Sequence, residues 1–313
     1  MLPDFGIGVL LAVFTALVST PVVKRIAFKV GAVDLPDKRK VHKEPMPRLG
    51  GLAIYLAFMV GMLSFGTLDR DNLIIMTGAT LIVAVGVLDD IYQLPAKVKL
   101  AGQIAAAAVP VLAGIRIEWI GGLLGGDYIY FEEFSFPLTI FWIVAFTNVV
   151  NLIDGLDGLA AGVGAIGSFT IAFLALQAGY ADTAYIYGVL CAAIIGFLPF
   201  NFNPASIFMG DTGSMFIGYI VGAFSVDGVV KTAATVSLLV PAVAFGLPIM
   251  DTAFAIVRRY RNGVPIFKPD KGHIHHRLLA LGLTQREAVL VMHGITLALA
   301  LAAVFLARWS RGM

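Results

Sequence analysis

Asn148, Asn151, Asp154 and Asp157 fall within ten residues of one another, in the stretch NVVNLIDGLDGLAAG that joins two apolar runs. An ionised carboxylate costs several kcal/mol in hydrocarbon, so such a pair belongs at a membrane edge, in a hydrated cleft or on a metal. The stretch therefore reads as a site. Asp154 and Asp157 are three apart and would share nearly one face if the segment were helical.

Three further motifs carry the same kind of chemistry. Asp89 and Asp90 end the third apolar run, and Lys97 and Lys99 follow closely. Adjacent carboxylates at a helix end can bind Mg²⁺, supply a base whose partner or metal tunes it, or simply be solvated. The segment NFNPASIFMGDTGS, from Asn201 to Ser214, leads through Phe208 to Asp211 between glycines. Its carboxylate suits Mg²⁺, which takes one or two protein carboxylates plus substrate phosphates; a helix N-cap is the alternative reading. In PIFKPDKGHIHHRLL, His273, His275, His276 and Arg277 lie beside Lys268 and Lys271. The spacing lacks cysteine and is not the i, i+4 pattern of a helical zinc pair, so a phosphate reader is favoured over a zinc site or a lipid-touching basic segment.

The first polar loop, DLPDKRKVHKEPMPRLGG, is basic through Lys38, Arg39, Lys40, Lys43 and Arg48, and points to an anionic substrate or headgroup. Asp251 follows Pro248, where a helix breaks, and reads as a buried capping or pairing acid rather than a catalytic one. Cys191, the one cysteine, lies in an apolar run and excludes a disulfide framework.

The elements that must position these groups are apolar. The chain has 313 residues, 59% hydrophobic and 13% charged, with mean hydropathy +0.89. Soluble domains carry roughly 25% charge. The expected fold is an all-α polytopic membrane protein forming a single domain over residues 1–313, with no internal repeat. Ten apolar segments, near 5–23, 50–66, 73–88, 98–114, 136–152, 159–177, 183–200, 213–226, 232–257 and 287–307, are read as about ten transmembrane helices.

If the loops alternate sides, one side receives eight cations from Lys24 to Arg48, Lys97 and Lys99, and seven from Arg258 to Arg286; only five fall on the other. The positive-inside rule then makes the first side cytoplasmic, both termini extracytoplasmic, and all four polar motifs cytoplasmic. Between Gly114 and Pro137, alternating IRIEWIGG and DYIYFEEFSF predict a small outer β-hairpin. No cleavable signal peptide is expected, because the first apolar run lacks a basic flank and a small-residue cleavage site.

In order, PMPRLGG, the Asp pair with Lys99, NLIDGLDG, NFNP with FMGDTGS, and HIHHR resemble the polyprenyl-phosphate N-acetylhexosamine-1-phosphate transferases, the family containing MraY and the WecA/TagO enzymes. The resemblance spans nearly the whole chain. It implies transfer of a sugar-1-phosphate from a UDP-sugar to a lipid phosphate with release of UMP, using Mg²⁺ with Mn²⁺ as a substitute. Because HIHHR and MPRLGG differ from the HHHFE-like and TPTMGG stretches of MraY-type proteins, the WecA/TagO branch is the better match. That branch implies UDP-GlcNAc as donor, undecaprenyl phosphate as acceptor, and a place in the bacterial plasma membrane at the start of surface-glycan synthesis of the teichoic acid or O-antigen type. The family precedent is compatible with a homodimer, and no nucleic-acid partner is expected.

Carried over residue by residue, the resemblance makes Asp211 the principal Mg²⁺ ligand, with Asn151 second. Lys99 would contact the diphosphate, Phe208 would stack on uracil, and Asn201 and Asp157 would border the uridine. Asp89 or Asp90 would deprotonate or contact the lipid phosphate, with Asp154 and Asp157 counted among the catalytic acids. His273, His275, His276 and Arg277 would hold donor phosphates or sugar, and Lys43 and Arg48 would bind substrate. Direct attack by the lipid phosphate is favoured over a covalent Asp intermediate. The competing readings are an MraY-type phospho-MurNAc-pentapeptide transferase, a lipid phosphatase, and an ion-coupled secondary transporter, whose acids should lie mid-span.

Overall fold

The computed structural model describes residues 2–36, 44–66, 68–121, 128–231, 234–263 and 272–309. Lys43, Lys268 and Lys271 lie outside them. Within the described residues the chain forms twelve α-helices. They are α1 (Leu2–Val30), α2 (Gly50–Phe65), α3 (Arg70–Tyr92), α4 (Ala96–Leu112), α5 (Ser135–Ile153), α6 (Leu159–Gln177), α7 (Ala181–Asn201), α8 (Gly210–Lys231), α9 (Ala234–Ala244), α10 (Gly246–Arg261), α11 (Ile274–Ala280) and α12 (Gln285–Trp309).

Every apolar segment read from the sequence coincides with a helix, since hydrocarbon forces the backbone to satisfy its own hydrogen bonds. The ninth is broken. Its two halves meet at 76° around Phe245, because Pro248 in the first turn of α10 donates no hydrogen bond to Ala244. Six helices (α1, α3, α5, α6, α7 and α12) are long and apolar enough to cross a bilayer, and the bent pair would make a seventh. Ten does not follow from length and hydropathy alone: α2 has 16 residues and α4 has 17, short of the roughly 20 a bilayer asks for.

At the centre, α8 packs against α3 and α5, while α6 and α7 pack against each other. Met215, Phe216, Ile217, Tyr219 and Ile220 of α8 are fully buried. Outer helices turn Leu10, Phe14, Val18, Leu297, Leu301 and Phe305 outward, the pattern of a surface facing lipid rather than water.

Two short antiparallel ribbons complete the fold. In one, β1 (Val33–Asp34) pairs with β2 (Met46–Pro47), Val33 opposite Pro47. In the other, β3 (Trp119–Ile120) pairs with β4 (Ile129–Tyr130), Trp119 opposite Tyr130. The second is the hairpin expected from the alternation. The first was not anticipated, and it delivers Arg48.

Candidate active site

The N-terminus of α8 is the structural centre of the site. Gly210 has φ +71°, and a Cβ there would collide with the Arg48 carbonyl, so only glycine fits. The incoming chain is held by the loop before α2. Phe208 N–H donates to Pro47 O at 2.8 Å, Gly50 N–H to Phe208 O at 3.0 Å, and Gly51 N–H to Met209 O at 2.8 Å. This docking explains why PRLGG and FMG belong together.

Asp90 caps α8 from another helix. Its carboxylate accepts from the N–H groups of Asp211 and Thr212, both at 3.0 Å, and from the Thr212 hydroxyl at 2.6 Å. The helix's orphan N–H groups and its positive end favour a carboxylate there. The Arg48 guanidinium lies 3.6 Å from Asp90 and 3.7 Å from Asp34. The capping role therefore belongs to Asp90, not to Asp211.

Asp211 is thereby free to turn into the bundle. Its carboxylate takes an ion pair from Lys99 and a hydrogen bond from Asn151 Nδ2 at 2.9 Å. Lys99 Nζ also reaches Asp89 at 3.1 Å and donates to Asn151 Oδ1 at 3.2 Å, while Asn151 Nδ2 donates to Ser214 Oγ at 2.9 Å. Asp89 accepts from the Leu94 N–H at 2.7 Å and borders a cleft of about 340 Å³ with Asp34, Arg48, Gln93 and Leu94. The Asp pair sits inside the last turn of α3, which runs on to Tyr92, so this helix extends past the expected end.

Asp154 ends α5 and faces the same cluster. Among the described residues no hydrogen-bond donor reaches its carboxyl. Burial first, then the negative charges of Asp211 and Asp90, push it up to about 8. The shared helical face expected for Asp154 and Asp157 is not formed. Residues 154–158 are non-helical, and the two acids go to different partners. Asp157 accepts from Asn203 Nδ2 at 3.2 Å and from Ala205 N–H at 3.0 Å, tying the loop between α5 and α6 to the loop before α8. Asn201, the last residue of α7, donates to Ile207 O in that second loop at 3.1 Å. Its own buried Oδ1 has no partner among the described residues, an acceptor awaiting a donor.

The histidines dock on the same loop. A Cβ at Gly155 would lie 2.6 Å from His275 Nε2, so the glycine leaves room for the imidazole beside Asp154. His275 is buried, and burial with the neighbouring His276 and His273 pushes it down to about 4. The rings of His275 and His276 are 4.2 Å apart, and those of His273 and His275 lie nearly parallel at 5.8 Å. His273 stands at the N-cap position of α11 without a side-chain capping bond, and the sequence did not announce this helix. The Arg277 side chain is exposed, without a hydrogen bond or ion pair among the described residues.

The structure thus gathers Arg48, Asp89, Asp90, Lys99, Asn151, Asp154 and Asp211 into one cluster. Asp157 lies in the loop between α5 and α6, Asn201 ends α7 and Phe208 lies in the loop before α8, while His275 meets the cluster at Gly155 with the His273 and His276 rings beside it. Sequence reading missed Thr212, Ser214 and Gln103. Gln103, 2% exposed, forms a reciprocal amide pair with Asn148: Nδ2 to Oε1 at 2.7 Å and Nε2 to Oδ1 at 3.3 Å. A polar residue four after Lys99 on an otherwise apolar helix was the available signal.

Comparison with known proteins agrees with the motif order. Residues 72–229 match glycosyl transferase family 4. The chain is 44% identical over 96% of its length, and 84% of the other's, to a probable undecaprenyl-phosphate N-acetylglucosaminyl 1-phosphate transferase of Bacillus subtilis. It is 38% identical over 92% of its length, and 78% of the other's, to a decaprenyl-phosphate N-acetylglucosaminephosphotransferase of Mycobacterium tuberculosis. An undecaprenyl-phosphate alpha-N-acetylglucosaminyl 1-phosphate transferase of Escherichia coli K12 is 29% identical over 90% of this chain and 77% of its own. The architecture, the cluster at the head of α8 and these likenesses converge: the chain belongs to glycosyl transferase family 4.

Proposed function

We propose that the protein transfers GlcNAc-1-phosphate from UDP-GlcNAc to undecaprenyl phosphate, releasing UMP. The observation that carries this reading is the arrangement at the head of α8, where Asp211 faces Lys99 and Asn151 while Asp89 opens onto the Arg48 cleft. The names of the relatives support the donor and acceptor classes. Phosphoryl transfer needs positioning and charge neutralisation more than covalent chemistry.

A Mg²⁺ ion fits these residues. Asp89, Asp90, Asp154 and Asp211 set four carboxylates against Lys99 and Arg48, and Asp154 has no donor of its own. No ready-made cage of three acidic, histidine or cysteine ligands exists among the described residues; Mg²⁺ typically completes its shell with substrate phosphates and water. Asp211 and Asn151 would hold the ion, which when bound neutralises the donor diphosphate; Mn²⁺ would substitute.

In this reading Lys99 and Arg48 hold phosphate oxygens, and Lys43 also binds substrate. Asp89, which faces the cleft, serves the acceptor phosphate, whereas Asp90 positions Asp211 by capping α8. Asp154 lies beside the reacting phosphates and Asp157 shapes the uridine loop. Phe208 stacks on uracil and Asn201 Oδ1 accepts from the base. His273, His275, His276 and Arg277 take the donor's phosphates or sugar. Attack is direct, because donor and acceptor can share one charged centre.

The site faces the cytoplasm of a bacterial plasma membrane, with α2, α4 and α8 completing ten spans, both termini outside and two copies forming a homodimer; the cation distribution supports the orientation. The product opens a surface-glycan pathway of the teichoic acid or O-antigen type. The testing experiment is UMP release by the purified protein with Mg²⁺ and undecaprenyl phosphate, comparing UDP-GlcNAc, UDP-GalNAc and UDP-MurNAc-pentapeptide. Lipid-dependent UMP from UDP-GlcNAc is expected; UMP from the pentapeptide donor alone would overturn the donor assignment.

A further inference from the structure

Asp251 stands apart from the acid cluster, on α10, 4% exposed. One oxygen accepts from the Ile274 backbone N–H at 2.9 Å. The other lies 2.8 Å from His273 Nδ1, and His273 is itself 6% exposed. A carboxylate accepts only, so the neutral imidazole must carry its proton on Nδ1 and leave Nε2 as the acceptor. The same side chain ties the first turn of α11 to α10. From His273 the contacts continue through the parallel His275 ring to Gly155 and the acid loop.

We propose that Asp251 is a positioning residue for His273: one carboxylate sets both the ring's tautomer and the seating of α11, so that Nε2 is presented to the substrate. The inference rests on the transferase reading in giving His273 a substrate to meet. It goes beyond that reading in assigning a role to an acid that touches neither substrate nor metal. A carboxylate that orients a histidine can be replaced isosterically by an amide that keeps the geometry and presents the wrong hydrogen-bond partner.

Asp251→Asn makes the test. Its carbonyl oxygen still accepts from Ile274, but its NH₂ faces His273 Nδ1 and forces the ring proton to Nε2. ¹⁵N-imidazole spectra of histidine-labelled protein in lipid nanodiscs, assigned with His273→Gln, are expected to show Nδ1 protonated in the wild type and Nε2 protonated in Asp251→Asn. In UMP release, kcat should fall about 100-fold while the KM for UDP-GlcNAc stays within about threefold, the split expected of a lost orienting carboxylate. Adding His273→Gln to Asp251→Asn should cost less than about threefold more, since residues acting as one unit are non-additive.

An unprotonated Nδ1 in the wild type, an unchanged kcat, or full additivity of the two substitutions overturns the proposal. The wild-type spectrum decides it even if Asp251→Asn does not fold. Should the wild type release UMP from no donor, the transferase reading fails, and the spectra alone decide the Asp251–His273 pairing.

Discussion

Asp211 sits in a helix whose first turn makes three hydrogen bonds to Asp90, and its own carboxylate meets Lys99 and Asn151 from two further helices. His273 and the first turn of α11 are tied to α10 through the Asp251 carboxylate, which bonds both the ring and the Ile274 N–H. The acid–lysine centre is thus built into the ends of long buried helices, and the histidine segment is a seven-residue helix docked against it. Catalytic charge that must be preorganised is placed on rigid elements. The histidines, proposed above to take the donor's phosphates or sugar, are carried on a short docked helix.

The largest expected effect tests the rigid side. Asp211→Asn keeps the size of the side chain and removes the charge paired with Lys99, so transfer should drop by at least about 10³-fold. UMP release from a folded, monodisperse preparation reads it. Retention within tenfold would break the assignment of this centre as the chemical one.

Next in size is a contrast between neighbours. Asp90→Asn replaces the acceptor of three donors with a neutral amide, and about 2 kcal/mol of stability should go with the charge-assisted bonds. Its thermal midpoint should therefore fall along with activity. Asp89→Asn should lose comparable activity with a midpoint near wild type, because Asp89 faces the cleft. Equal midpoints in the two variants would remove the division of labour between them.

Acidification should move the two regions in opposite senses. Asp154, held up to about 8 against an ordinary 3.8, takes its proton in the native state first, so lowering pH through 8 stabilises the fold. His275, held down to about 4 against 6.5, protonates first in the unfolded chain, so stability falls from pH 6.5 toward 4. Thermal midpoints of the metal-free protein between pH 8 and 5 read both. Asp154→Asn should abolish the gain below pH 8, and His275→Gln the loss below 6.5. Unaltered profiles would mean the two groups are not enclosed as described.

The difference between the regions also governed what could be read from sequence. The long helices were legible because hydrocarbon demands apolar runs of fixed length, and even the break near Pro248 announced itself. The helix α11 was not, since seven residues rich in histidine carry no apolar period. Asp90's role was hidden for another reason: its partners lie 121 and 122 residues away, and no local pattern marks a helix capped from a different helix. Asp154 and Asp157 looked equivalent at a spacing of three. They part because the helix ends at Ile153 and Asp157 is drawn to Asn203 and Ala205, more than forty residues along the chain.

The smallest expected effect probes how deep the rigid side extends. Gln103 and Asn148 stand one turn behind Lys99 and Asn151 on the same two helices and close the seam between α4 and α5 with their amide pair. Gln103→Leu strands the Asn148 carbonyl oxygen in a half-buried setting, an expected cost of about 1 kcal/mol. Asn148 keeps its bond to Val144 O at 2.9 Å, so the helix itself should persist and transfer should fall only about three- to tenfold. Replacing both residues with leucine removes donor and acceptor together, and thermal midpoint and transfer should then recover much of the loss. Recovery of stability without recovery of transfer would be the sharper result: the amide pair would then be aligning Lys99 with Asp211 rather than merely filling the seam, and the rigid centre would begin a full helical turn deeper than its charged residues.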